Sequence, residues 1–154
     1  MFSFPKSISR LYDHNTFDSR FLRDLRNARQ SVIIESPFIR MARTDQLLPI
    51  LIRLRKRGVS IIINTRNPSE HDIEYMHQSE CAISLLQEIG VIVLFTVKHH
   101  RKIAIIDKEV FYEGSLNILS YYNSCEIMRR TVSRREAEIL IKFIGLNKYL
   151  RKAR

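Results

Sequence analysis

Residues 99–107 read His99-His100-Arg101-Lys102-Ile103-Ala104-Ile105-Ile106-Asp107, and residues 113–117 read Glu113-Gly114-Ser115-Leu116-Asn117. The four apolar residues at 103–106 form a continuous run, which is typical of a strand buried on both faces of a sheet. Alternate residues of an extended chain share a face, so we expect His100 and Lys102 to point together and Arg101 to point away. The sequence therefore predicts a buried strand that begins with an imidazole and an ammonium group on one face.

This pair of side chains suits the chemistry of phosphate esters. An imidazole can attack phosphorus or carry a proton, and a fixed lysine can hold a phosphate oxygen. Ser115 and Asn117 follow a glycine, where a bend can direct both towards the same phosphate. Asn117 offers two uncharged donors, so it can bind an oxyanion without neutralising Lys102. Gly114 is interpreted as the position that lets the backbone approach the ligand, and His99 is set aside because it faces away.

The rest of the chain alternates between strand and helix patterns. Helix starts are expected near Asn15 or Thr16, at Thr44, at Ser69 with Asp72, and at Ser133 with Glu136. Gly58 and Gly90 are expected to end two of these helices. Strands are expected at 31–35, 59–64, 91–96, 103–106, 110–113 and 126–132. This order predicts an α/β fold, with a mostly parallel mixed sheet, an antiparallel hairpin at 107–113 and helices on both faces.

The motif residues resemble the signature of the phospholipase D superfamily, which has the spacing H-x-K-x4-D followed by G-S/T-x-N. Every signature position is matched; the matching residues are His100, Lys102, Asp107, Gly114, Ser115 and Asn117. Glu126, after Asn123, is similar to the acidic residue that family members use to hold the histidine. The resemblance covers about residues 17–150, so we expect one phospholipase D-like domain over residues 1–154.

The resemblance also implies roles for these residues. His100 is expected to be the nucleophile or general acid, and Lys102, Ser115 and Asn117 are expected to be catalytic and to bind the substrate phosphate. Asp107 and Glu126 complete the predicted catalytic set, because a carboxylate can orient an imidazole (Glu126) or hold the hairpin and sheet together (Asp107). Arg66, in the loop after the second predicted strand, is a further candidate for substrate binding.

The chain carries one copy of the H-x-K-x4-D motif. In the resembled family, one histidine attacks phosphorus to form a phosphohistidine and a second protonates the leaving oxygen. A chain with one copy has to take the second histidine from a twin, so the resemblance implies a homodimer with its two-fold axis through the active site.

Net charge favours a polyanionic partner. The 154 residues carry a formal charge of +10, and the segment 129–154 alone has nine basic and two acidic residues. Such an excess of positive charge predicts binding to nucleic acid through the phosphate backbone. We expect DNA rather than RNA as the partner, although no residue pattern in the sequence distinguishes the two.

Several classes of protein are not expected. The two cysteines, Cys81 and Cys125, are too few and too far apart for a disulfide framework or a zinc site, and neither a metal nor another cofactor is expected. We see no secretory signal, no anchor motif and no apolar run long enough to span a membrane, so we expect a cytoplasmic protein that does not bind membranes.

Three functions are compatible with the signature. The first is a metal-independent endonuclease that hydrolyses nucleic-acid phosphodiester bonds. The second is a nucleic-acid-binding or targeting module that works with a helicase or another partner, because the segment 113–130 resembles phospholipase D-like domains attached to helicases. The third is a lipid phosphodiesterase, which is disfavoured because no amphipathic helix has a bulky aromatic apolar face.

Overall fold

The protein is described here by a computed structural model that covers residues 6–121 and 124–150. The described residues form seven strands and four α-helices. The strands are β1 (Ile8–Asp13), β2 (Ser31–Glu35), β3 (Ser60–Thr65), β4 (Ile92–Phe95), β5 (Ile103–Ile106), β6 (Val110–Gly114) and β7 (Ile127–Val132). The helices are α1 (Phe17–Arg26), α2 (Met41–Lys56), α3 (Ile73–Glu88) and α4 (Arg134–Phe143).

The strands form one mixed sheet in the order β1-β7-β6-β5-β2-β3-β4. The α/β class and the mixed sheet are confirmed, but the expectation that the sheet is mostly parallel is wrong. Among the described strands, β2 pairs with β3 and β3 with β4 in parallel, and the other four pairings are antiparallel. The connection from β4 to β5 explains why β5 runs antiparallel to β2. Its seven residues contain no crossover helix, so β5 starts at the end of the sheet where β4 finishes.

Helices cover both faces of the sheet, as predicted. Val32 and Ile34 of β2 face the larger core, where they pack with residues of α1, α2 and α3. Ile33, between them, faces the smaller core, to which α4 contributes Ala137 and Ile141. The continuous apolar pattern of β2 therefore reflects burial on two faces, because alternate side chains of a strand point to opposite sides.

The helix boundaries follow the predicted caps in part. Ser133 caps α4 by accepting a hydrogen bond from the Glu136 amide, as predicted. Helix α3 begins later than expected, because Asp72 rather than Ser69 caps it by accepting a hydrogen bond from the Tyr75 amide. Thr44 is not a cap, because α2 begins earlier, at Met41, and the Thr44 hydroxyl donates to the carbonyl of Arg40 at 3.0 Å. Gly58 ends its helix with a φ of +81°, a conformation that favours glycine.

Strand β1 was not predicted. It lies at the edge of the sheet, pairs with β7 from Ile8↔Val132 to Asp13↔Ile127, and leaves most of its side chains exposed. An edge strand without a buried face has no alternation of apolar and polar residues, so the sequence carries no signal for it. In the part of the chain that the structure describes, no helix combines the length and apolar character needed to span a membrane.

Candidate active site

The first part of the predicted motif, with His100 and Lys102, lies on a loop that crosses one end of the sheet. Residues 96–102 connect β4, at one edge, to β5, which lies beside β2, so the loop passes the carboxyl ends of β3 and β2. The crossing spans three strand spacings, about 14 Å, out of about 24 Å that seven extended residues can reach. His100 and Lys102 therefore stand on this loop immediately before β5, rather than on the strand itself as predicted. Ligands of α/β sheets commonly bind at the carboxyl ends of the strands.

A buried polar network lies beneath the loop and is centred on Glu35. The Glu35 side chain is fully buried at the end of β2, where it accepts a 2.6 Å hydrogen bond from the Asn64 side chain. Nε of Arg101 lies 2.8 Å from Oε1 of Glu35, and Nε2 of His99 lies 3.6 Å from Oε2. Burial lowers the pKa of His99, and the Glu35 carboxylate opposes this change. A buried carboxylate requires such partners, so the network holds both ends of the segment His99–Arg101 in place.

Arg66 reaches the same loop from the end of β3. Its Nε and Nη2 donate to the backbone carbonyl of His99 at 3.2 and 2.9 Å. This contact places the guanidinium beside the predicted nucleophile, where it supports the loop directly. Two parallel hydrogen bonds from one guanidinium also fix the orientation of the group that accepts them.

His100 and Lys102 are the accessible pair of the loop. The His100 side chain is exposed, and within the described residues its imidazole has no hydrogen bond. The half-buried Lys102 donates from Nζ to the backbone carbonyl of His100 at 2.6 Å, so its ammonium group lies close to that residue. Burial lowers the pKa of Lys102, Arg66 acts in the same direction, and Glu126 raises it. Lys102 thus stands between an anion and a cation.

Ser115 and Glu126 form the opposite side of the site. The Ser115 hydroxyl donates to Oε2 of Glu126 and accepts from the Ile127 amide at 3.0 Å. Glu126 also accepts a 2.7 Å hydrogen bond from the Ser124 hydroxyl. The hydrogen bond from Ser115 is the main reason why the pKa of Glu126 lies below its usual range, and Lys102 contributes to the same shift. Glu126 is therefore held as a carboxylate whose charge acts on Lys102.

Gly114 is required for packing between strands. A Cβ atom at this position would lie 2.2 Å from the carbonyl oxygen of Ile127 and 2.9 Å from Cα of Met128. The close approach is therefore between β6 and β7, whereas the sequence had indicated an approach to a ligand. This contact sets the position of Ser115, whose amide donates to the carbonyl of Ile127 at 2.9 Å.

Asn117 lies in the turn that follows β6. Its backbone carbonyl accepts hydrogen bonds from the amides of Ser120 and Tyr121. Its side chain is half-buried, and Oδ1 is enclosed with no hydrogen-bond partner among the described residues. A polar atom that is buried without a partner costs free energy, which is a common feature of sites that act on a ligand.

The comparisons with known proteins agree with the motif. The family described as cardiolipin synthase, PLD-like domain, matches residues 21–143, most of the chain. The chain belongs to the phospholipase D superfamily. No curated protein matches the sequence.

Solved structures of several other proteins share the fold. Nuc from Salmonella typhimurium, a phospholipase D family member, has a TM-score of 0.74 at 16% identity, over 97% of this chain and 99% of that one. NucT from Helicobacter pylori has a TM-score of 0.73 at 18% identity, with coverages of 90% and 93%. TrmBL2, an archaeal chromatin protein, has a TM-score of 0.59 at 15% identity and covers 94% of this chain and 54% of that one. At these identities, the similarities establish the fold.

The structure brings together most of the predicted residues of this superfamily signature. His100, Lys102, Ser115, Asn117 and Glu126 lie at one edge of the sheet, and Arg66 supports the loop there. Within residues 6–121 and 124–150, no group of three or more His, Cys, Asp or Glu side chains is placed to hold a metal ion.

Asp107 is the signature residue that the structure does not bring to this end of the sheet. It follows β5 at the opposite end, about 16 Å along the strand from Lys102. Its carboxylate accepts hydrogen bonds from the amides of Arg29, Gln30 and Ser31 at 3.0, 2.7 and 3.1 Å. These contacts join the start of β2 to the β5–β6 turn, which fits the holding role rather than contact with a substrate.

We therefore expect Asp107→Ala to lower the free energy of unfolding by about 2 kcal/mol, because three amides lose a charged acceptor. Activity per folded molecule should remain close to that of the wild type. Asp107→Asn, which keeps an acceptor and tolerates the positive φ of 54° at this position, should lose less stability. Urea unfolding and turnover at a permissive temperature would check both effects, and a loss of turnover in a folded variant would contradict this role.

Two groups near the site were missed by sequence reasoning. Nδ1 of His14 lies 3.5 Å from the amide nitrogen of Glu126, and the Tyr121 hydroxyl donates to the His14 carbonyl. The second group is the buried network of Glu35, His99 and Arg101. The carboxylate at the end of the mostly apolar strand Ser31–Glu35 could have indicated the network. No residue close to His14 in the sequence indicates its contacts with Glu126 and Tyr121.

Proposed function

We propose that the chain is a metal-independent phosphodiesterase, an endonuclease that hydrolyses nucleic-acid phosphodiester bonds at a site shared by two copies. The observation that carries this proposal is the accessible imidazole of His100 on a loop held by the Glu35 network and Arg66, with the Lys102 ammonium bound to the backbone carbonyl of His100. An exposed nucleophile on a rigid support is what an in-line attack on phosphorus requires.

The proposed reaction has two displacements. In the first, a ring nitrogen of His100 forms a bond to phosphorus, the bond to the leaving oxygen breaks, and the second copy's histidine donates a proton to that oxygen. In the second, this histidine removes a proton from water, the oxygen of which attacks phosphorus and breaks the P–N bond. Lys102 and Asn117 are proposed to bind the non-bridging oxygens, where negative charge develops. Ser115 is proposed to join them when its hydroxyl, which donates to Glu126 in the structure, turns to the phosphate. Glu126 is proposed to orient an imidazole, a role for which its ionised state is suited.

Exposed apolar side chains next to the site support the shared arrangement. Val97, on the loop before His99, is 74% exposed, and Ile127, next to Glu126, is 53% exposed. These residues lie beside the two sides of the site, so a second copy placed across it would bury them. An isologous contact of this kind brings one His100 from each copy to the two-fold axis.

The distribution of charge supports a polyanionic substrate, although acidic partners neutralise some of the basic side chains of the segment 129–150. Arg130 forms an ion pair with Asp24 at 2.6 Å, and Nε of Arg134 lies 3.6 Å from Glu109. A second basic surface is open, at the end of the sheet opposite His100. Four cations with no ion pair in the described part of the chain line a groove of about 390 Å³ between α1 and α2; they are Arg26, Arg53, Lys56 and Arg57. Such clusters favour contacts with the phosphate backbone.

A nucleic-acid-binding module is the second candidate function. The specific observation is the similarity to TrmBL2, an archaeal chromatin protein whose structure shows a novel mode of DNA binding. A module of this kind would bind nucleic acid and leave it intact. The two candidates therefore differ in turnover and agree in binding.

We expect cleavage of labelled DNA or RNA that survives EDTA, because the proposed electrophilic groups are Lys102 and Asn117. The measurement compares single- and double-stranded DNA, RNA and a phosphatidyl lipid, each with and without chelator. The rate should be bell-shaped in pH, since one histidine must be neutral while the other is protonated. Activity lost on chelation and restored by Mg²⁺ would contradict the mechanism. Binding without cleavage would favour the nucleic-acid-binding module. Turnover of the lipid alone would show that the substrate is a lipid and not a nucleic acid.

A further inference from the structure

Three aromatic rings cluster beside the candidate active site. The ring centroids of Phe38 and His71 are 5.4 Å apart, those of His71 and Tyr75 are 4.6 Å apart, and those of Phe38 and Tyr75 are 5.8 Å apart. Phe38 lies in the loop after β2, whereas His71 and Tyr75 flank the start of α3. We call these three residues the aromatic cluster.

The aromatic cluster is joined to the catalytic loop by Arg66. The guanidinium of Arg66 lies 5.3 Å from the centroid of Phe38, and the same group donates two hydrogen bonds to the carbonyl of His99. A second guanidinium, that of Arg40, lies 5.6 Å from the centroid of Tyr75. One residue, Arg66, thus contacts both the aromatic cluster and the residue that precedes His100. A ligand held at His100 would have the cluster as its neighbour.

The cluster differs from the aromatic residues of the core. Phe17, Phe21 and Tyr112 also pack on one another, but all three are fully buried. The rings of Phe38, His71 and Tyr75 are each half-buried, so part of their surface is open to a ligand.

The aromatic cluster combines uncharged rings with guanidinium groups that lie over two of them, Phe38 and Tyr75. Burial, with a further contribution from Arg66, lowers the pKa of His71, which favours the uncharged ring at neutral pH. Ile73, which is 71% exposed, extends the apolar surface at the start of α3. Partly exposed aromatic rings combined with guanidinium groups bind unpaired nucleobases, because a base can stack on a ring or on a guanidinium plane and the cations attract the backbone.

We propose that the aromatic cluster stacks on bases next to the phosphate held at His100, and that the substrate is therefore a single-stranded nucleic acid. This inference rests on the proposed function and adds the strand preference to it. Bases in a duplex already stack on each other, so they cannot present a face to the cluster without unpairing. DNA and RNA share this chemistry, and the cluster itself does not distinguish them.

A thermodynamic cycle that removes rings from the protein and bases from the oligonucleotide tests the proposal. Binding is measured on the His100→Ala protein, so that cleavage does not interfere, with a thymidine oligonucleotide and with an abasic oligonucleotide of the same length and charge. We expect removal of the bases to weaken binding about tenfold or more, which is the effect of losing one stacked base. With Phe38→Leu and Tyr75→Leu added, the two oligonucleotides should bind with similar affinities. A uridine oligonucleotide gives the corresponding value for RNA.

Two controls keep the test sharp. Phe38→Tyr retains a ring and should retain the preference for bases, even if Phe38→Leu disturbs the fold. Phe143→Leu removes an 81% exposed ring from α4, on the other face of the sheet, and should change nothing. Equal binding of intact and abasic strands by the parent protein, or duplex bound as tightly as single strand, would overturn the inference and leave the nuclease proposal standing. Failure to bind any nucleic acid would overturn both.

Discussion

His100→Ala should be folded and dimeric, with turnover reduced by roughly 10⁴-fold or more, because the substitution removes the proposed nucleophile and its counterpart in the second copy. The side chain is exposed and its imidazole has no hydrogen bond among the described residues, so its loss should leave stability within about 0.5 kcal/mol. Steady-state cleavage and thermal unfolding would measure the two effects separately. A variant that retains turnover would contradict the assignment of the nucleophile.

Mixing this variant with wild-type protein tests the shared site. In a mixed dimer, one of the two required histidines is absent, so a large excess of His100→Ala should drive the activity per wild-type subunit towards zero. The matched control is His77→Ala, which removes an exposed histidine of α3 outside the proposed site and should leave that activity unchanged. Activity that stays proportional to the number of wild-type subunits would show that each copy acts alone.

Gly114→Ala should be the most destabilising of the glycine substitutions. The added Cβ would meet the backbone of Ile127 at 2.2 Å, and a backbone atom cannot move aside as a flexible side chain can. Strands β6 and β7 must therefore separate at this point, at a cost of about 3 kcal/mol, the upper part of the usual range for overpacking. The shift would also carry Ser115 away from Glu126, so cleavage per folded molecule should fall as well. Urea unfolding and turnover would measure these effects.

Gly58→Ala provides the comparison for Gly114→Ala. Gly58 has a φ of +81°, but a Cβ atom there would have nothing within 4 Å, so only the backbone conformation is penalised. We expect a loss of about 1 kcal/mol and unchanged turnover. If the two variants were equally stable, the contact between β6 and β7 would not be the reason for glycine at position 114.

Local patterns predicted much of this protein. The apolar run at 103–106 predicted β5, and the capping signals at Ser69 with Asp72 and at Ser133 marked two helix starts within a few residues. The spacing from His100 to Asn117 indicated the phospholipase D superfamily, which the family match confirms. These features depend on residues close together in the chain, where periodicity, capping and motif spacing act.

Contacts between distant residues lay beyond those patterns. Glu35 reaches Arg101 and Asp107 reaches Arg29 across 66 and 78 positions of the sequence, respectively. No local period records such separations, so the buried network, the pairing of β1 and the aromatic cluster emerge only when the chain is folded. The sequence by itself determined the superfamily of the chain and the side chains that are proposed to carry its chemistry. The tertiary structure alone decided how those side chains are held, because the loop that bears His100 is positioned by strands on either side of it.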